Sequence, residues 1–152
     1  MATFIPANGA TSEDRTVEND GWFPDLTVAA CRTGVSVASQ HSTDRVAAEL
    51  LSAMIEVNAS LDEWRAEQSA ASLAVVPAKT YGGVSEKVTL YARAVFCLVR
   101  ARTIEVTREH DATAKGHERA DLTETNAPYW RQASQEALAR LTGRTRTVVE
   151  LI

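Results

Sequence analysis

TDRVAAELLSAMIEVNASLDEWRAEQ, residues 43–68, is the most regular stretch of the chain. Val46, Leu50, Met54, Val57, Leu61 and Trp64 recur at spacings of three and four, which lines them along one side of an α-helix. Leu51 and Ile55 are expected to widen that apolar face. Ser42 or Thr43 can cap the first turn through its hydroxyl. So long a helical period predicts an amphipathic helix laid against a core, and everything else must supply that core.

Toward the N-terminus, the linker VSVASQHS separates this helix from a shorter one predicted over residues 25–33, opened by Pro24 and stopped by Gly34. Trp22 and Phe23 stand just before it. They serve either as a hydrophobic lid on the helical core or as an anchor for a partner's pocket. Residues 1–20 lack helical and strand periodicity and read as a flexible arm.

Toward the C-terminus, a loop from Ser69 to Gly83 contains Pro77 and the Tyr81-Gly82-Gly83 stretch, whose glycines would permit close backbone approach. A third helix is predicted from Val84 or Ser85 to about His110, with Val88, Tyr91, Val95, Leu98 and Val99 on one side. Two long helices joined by a loop imply an antiparallel pair. After DATAKG (111–116), a fourth helical region covers about 117–141. Pro128 demands a kink or a fresh start capped by Asn126. Trp130, Ala133, Ala137, Leu138 and Leu141 form its apolar face, and Gly143 ends it. The last residues, RTVVELI, are apolar and β-prone, and an isolated strand cannot satisfy its own backbone groups. The expected fold class is therefore all-α: about four helices over 21–143, a flexible arm over 1–20 and a docking tail over 144–152.

With 152 residues, the chain is long enough to form one core. Hydrophobic residues at 45% and charged residues at 24% exclude a wholly disordered chain. A net charge of −4 argues against a dedicated nucleic-acid binder. Neither a secretory leader nor an apolar run of membrane-spanning length is legible, so no membrane role and a cytosolic site of synthesis are expected. Cys31 and Cys97 are far apart in helical patterns and read as reduced structural thiols.

Motifs for nucleophilic catalysis, phosphate cradling or metal binding are missing, so neither cofactor nor catalytic residue is expected. The nearest constellation is His110, Asp111, His117, Glu118 and Asp121. Its commoner meaning is a solvated corner between helices; its alternative is a small metal-dependent DNA-processing enzyme. A helical nucleic-acid-binding module using Arg93, Arg100, Arg102 and Arg108 is the other alternative. The charge pattern suggests assembly instead. Glu49, Glu56 and Glu63 recur every seven residues on the second helix, as Arg93 and Arg100 do on the third. Solvated faces explain this in a monomer. In a ring of head-to-tail contacts, one copy's acidic face would meet its neighbour's basic face.

Taken in order, DGWFPD (20–25), the AAELLSAMIEVNASLDEWRAEQ helix, VTLYARAVFCLVRA, DATAKG (111–116) and TVVELI at the end resemble the head-completion proteins of P2-like tailed phages. The resemblance covers nearly everything after residue 19. It implies a helical connector fold and a place in the virion at the head–tail junction, assembled in the host cytoplasm. It further implies a homo-oligomeric ring of about twelve copies beneath the portal protein, retaining packaged DNA without binding it specifically and presenting a surface to tail-side terminator or neck proteins. By similarity, Thr147, Val148, Val149, Glu150, Leu151 and Ile152 are the portal-contact candidates, by strand addition.

Overall fold

In the computed structural model, residues 15–111 and 126–144 are described, with only the backbone of His110, Asp111 and Asn126. The 43–68 periodicity gives helix α2, Thr43–Ala66. Ser42 caps it by accepting from the Arg45 backbone N–H at 3.2 Å. Val46, Leu50, Met54, Val57 and Leu61 are buried along it, and Trp64 packs at the core's edge. Leu51 and Ile55 do not widen the core face: they are 48% and 63% exposed, because nothing among the described residues packs on that side.

Two short antiparallel strand pairs correct the all-α expectation. Strand β1 (Thr16–Val17) pairs with β2 (Leu26–Thr27), and β3 (Thr80–Tyr81) pairs with β4 (Val84–Ser85). The first pair, extended by Val28 N–H donating to Arg15 O at 2.9 Å, closes the loop around Trp22. Residues 15–20, read as arm in the sequence, are thus built into the fold; residues 1–14 lie outside the described residues. The second pair turns on Gly82 and Gly83, with φ of +58° and +79°. Two successive positive φ values suit a two-residue hairpin whose turn matches strand twist, and Gly-Gly supplies them without strain.

Helix α1 spans Val28–Val35, shifted C-terminally from the predicted 25–33. Thr27, not Pro24, opens it, accepting from Ala30 N–H at 3.1 Å. Gly34 does not stop it. A Cβ there would lie 3.3 Å from the Phe96 ring, so the glycine lets α1 approach the next long helix, and the chain turns instead at Ser36 with φ +53°.

Helix α3, Glu86–Asp111, begins after the predicted position because Val84 and Ser85 are strand. It is the central element. Tyr91 and Ala94 to Val99 are all buried, since α1 and α2 cover one side and helix α4 (Asn126–Thr142) the other. A helix apolar all round is one enclosed on several sides, which a single predicted face did not foresee. Tyr91 meets Asn58 and Thr107 meets His41, so α2 and α3 run antiparallel. On the opposite side, Ser134 Oγ donates to Ala94 O at 2.7 Å, bringing the backbones of α3 and α4 close. Lys87 Nζ reaches Leu141 O at 2.6 Å, and Arg131 grips Glu105 with nitrogens at 2.7 to 3.1 Å. α4 is therefore antiparallel to α3 as well.

Pro128 kinks nothing. It falls in the first turn of α4, where a missing N–H breaks no intrahelical bond, so the fresh start is the alternative that holds. The expected helix before Asn126 lies outside the described residues. Gly143, φ +71°, closes α4: its N–H donates to Arg140 O and that of Arg144 to Ala139 O at 3.0 Å, the bonding of a Schellman cap. Cys31 and Cys97 are buried and free; burial pushes the Cys31 thiol up to about 12 and raises that of Cys97.

Candidate interaction surfaces

The DGWFPD segment folds into a knot against α2 and α3. Asp20 accepts from the backbone N–H groups of Trp22 and Phe23, both at 3.0 Å, and from Arg65 at 2.6 Å. Burial alone would raise its pKa, but these donors and the Arg65 charge outweigh burial and lower it. Phe23 stacks on Tyr91 at 4.9 Å, Trp22 meets Phe23 edge-on at 4.8 Å, and the Arg65 guanidinium lies over both rings. Trp22 Nε1 donates to Ala70 O, while Trp22 O accepts from the Leu73 N–H, at the start of a 3-10 turn over Leu73–Val75. At 9% and 3% exposed, Trp22 and Phe23 close the protein's own core.

Beneath the aromatics lies a closed polar circuit. Asn19 Nδ2 donates to Tyr91 Oη at 2.8 Å, Tyr91 Oη donates to Asn58 Oδ1 at 2.6 Å, and Asn58 Nδ2 donates to Asn19 Oδ1 at 2.9 Å. Burial pushes the Tyr91 hydroxyl up to about 12, so it keeps the proton that it donates. Sequence reading missed this circuit. Its one signal is Asn58, a polar residue inside the stripe between Met54 and Leu61.

The charged repeats occupy unlike surroundings. Glu49 is drawn in beside Arg45 at 3.4 Å, Glu56 pairs with Arg102 of the same chain, and Glu63 is exposed. Arg93 is exposed at the rim of an apolar groove of about 370 Å³ lined by Gly34, Val84, Val88 and Phe96. Arg100 is largely covered, and its buried Nε has no acceptor among the described residues.

A wider groove, about 770 Å³, runs between residues 40–45 and Val106–Thr107 of α3. Behind His41, Arg32 donates to Ala38 O and His41 O, yet its own Nε is also buried without an acceptor among the described residues. Thr107 gives its hydroxyl hydrogen to Thr103 O at 2.9 Å, so its contact with His41 Nε2 at 3.2 Å has the imidazole as donor. Burial, then the charges of Arg45, Arg32 and Arg100, hold His41 below its usual pKa, against a smaller opposing pull from Glu49.

The other expected sites leave little to describe. His110 and Asp111 end α3, and His117, Glu118 and Asp121 lie outside the described residues, as do the portal-contact candidates Thr147 to Ile152. Among the described residues no group of three His, Cys, Asp or Glu could hold a metal, and no helix is long and apolar enough to cross a membrane.

The head completion/stabilization protein of Escherichia phage P2 is 34% identical over 144 residues, covering 92% of this chain and 85% of the relative. No solved structure matches. The family described as phage head completion protein (GPL) matches residues 17–152, beginning inside β1 and taking in the aromatic knot and every helix described. This chain belongs to the phage head completion protein (GPL) family.

Proposed function

We propose that the protein completes the phage head as a ring of subunits, probing no substrate and working through docking surfaces alone. Family membership over residues 17–152 carries this reading. Copies assemble in the host cytoplasm beneath the portal once DNA is packaged, about twelve to a ring, retain the genome and offer the tail-side terminator or neck proteins a platform. The net charge of −4 suits a channel through which DNA passes without tight binding.

Thr147 to Ile152 remain the proposed portal contact, because their sequence is apolar and β-prone and suits strand addition. Glu49, Glu56 and Glu63 on one copy and Arg93 and Arg100 on the next remain the proposed source of register between neighbours. The structure's contribution is a three-layer helical body: α1 and α2, then α3, then α4. Such a body transmits position between a portal contact and a tail contact without rearranging.

Electron microscopy of portal rings mixed with the full chain tests the reading. Annular density seated under the portal is expected, and its loss on truncating Val148–Ile152 assigns the contact. Bare portal rings at saturating concentrations of the full chain would overturn it.

A further inference from the structure

The groove at the start of α2 and the far end of the same helix carry opposite charge. Arg32, Arg45 and Arg100 converge on the groove end, where Asp44 is engaged by Arg15 and Glu49 by Arg45. Two of these guanidinium groups keep a buried Nε–H without an acceptor among the described residues. With Arg15, four guanidinium groups stand here against two carboxylates, so this end carries a net positive charge that an acidic surface of another copy complements.

At the other end, Asp62, Glu63 and Glu67 lie exposed on the last turns of α2, and no ion pair holds any of them among the described residues. A helix of 24 residues is about 36 Å long, so these carboxylates cannot reach the groove of their own chain. A second copy can bring them there.

We infer that the groove formed by residues 40–42, Asp44, Arg45, Val106 and Thr107, with the charges of Arg32 and Arg100 beside His41, receives the Asp62–Glu63–Glu67 carboxylates of a neighbouring copy. The contact is heterologous: each copy offers one groove and one acidic end, so association continues until a ring closes or a filament grows. The inference rests on the ring reading and deepens it: within the acidic and basic faces it singles out two ends, one holding Glu63 and the other near Arg100.

Two charge-reversed full chains test it: Asp62→Lys with Glu63→Lys, which touches only exposed side chains, and Arg45→Glu with Arg100→Gln. Self-association is read by sedimentation velocity at low salt over a concentration series, with circular dichroism confirming the fold. Each variant alone should associate at least tenfold more weakly than the wild type, the lower range measured for close interfacial charge pairs. An equimolar mixture should regain association, because one variant keeps an intact groove and the other an intact acidic end.

A wild-type chain that stays monomeric throughout would overturn the inference, as would an acidic-end variant that associates like wild type. So would a mixture that fails to recover. If instead the swap behaves as expected but portal rings stay bare, the self-contact stands and the portal reading falls.

Discussion

The knot around Tyr91 and the groove around His41 are both places where polar groups are drawn into the protein against α2 and α3, yet they are finished differently. In the knot, the amides of Asn19 and Asn58 and the Tyr91 hydroxyl answer one another in a closed circuit, and Asp20 takes three donors. Beside the groove, Arg32 and Arg100 each keep a buried donor that nothing described accepts. A satisfied polar network specifies one internal arrangement, whereas cations without a closed network contribute charge and little internal order. The difference teaches that the knot's polar groups serve the fold, while the charges beside the groove are left for the contact proposed between copies.

Substitutions at the two places should separate them, most strongly at Phe23. Removing a ring that is 3% exposed and stacked on Tyr91 leaves a cavity, so Phe23→Ala should lower unfolding stability by about 3–5 kcal/mol in urea titrations. Asn58→Leu should come next, at about 1–3 kcal/mol, by taking away the acceptor of the buried Tyr91 hydroxyl and the donor to the Asn19 amide. A loss well under 1 kcal/mol there would mean that the circuit is not what fixes the knot.

Acid should act on the knot through Asp20. Its folded pKa lies below the unfolded value, so its contribution is present above the ordinary carboxylate range and fades as pH falls through the folded value. Melting temperature should therefore drop on acidification below about pH 4, and the drop should be shallower in Asp20→Asn. Identical profiles would exclude Asp20 as a source of acid sensitivity. The smallest effect belongs to the groove. Arg100→Gln should change monomer stability by no more than about 0.5 kcal/mol, because it removes a charge whose buried donor lacks an acceptor, even as self-association weakens.

Much of the fold was legible because it depends on period and punctuation. The stripe from Val46 to Leu61 gave α2, and Gly143 marked the end of α4. Less legible was anything set by what a residue meets across the fold. Strand pairs of two residues each are too short to show alternation, although Gly82-Gly83 between Thr80-Tyr81 and Val84-Ser85 was an available hairpin signal. Gly34 looked like a stop and is a point of close approach to Phe96, which only the packing of α1 on α3 reveals. Leu51 and Ile55 fit the apolar pattern and still face outward, since periodicity cannot say how wide a face its partner covers.

The interaction surfaces were legible in kind and not in place. Heptad-spaced glutamates and arginines suggested contacts between copies, but spacing alone could not show that Glu56 is engaged by Arg102 of its own chain while Glu63 has no such partner among the described residues. Arg93 and Arg100 share the repeat yet differ in covering: Arg93 is exposed at the rim of the groove beside Gly34, while Arg100 is partly covered and acts on His41. His41 and Arg32 gave no sequence signal at all. Their role depends on the linker after α1 folding back over α3.

The account rests most on α2 having one end that receives and one that is received. A full chain carrying Gln40→Cys in the groove and Ala66→Cys beside the acidic end leaves every charge in place, and the native cysteines are buried. With about 36 Å of helix between the two ends, a short bismaleimide cannot join them within one copy. Cross-linking the dilute protein at low salt should give a ladder of covalent oligomers that disappears with Asp62→Lys and Glu63→Lys; monomer alone, or a ladder indifferent to those lysines, would contradict the account.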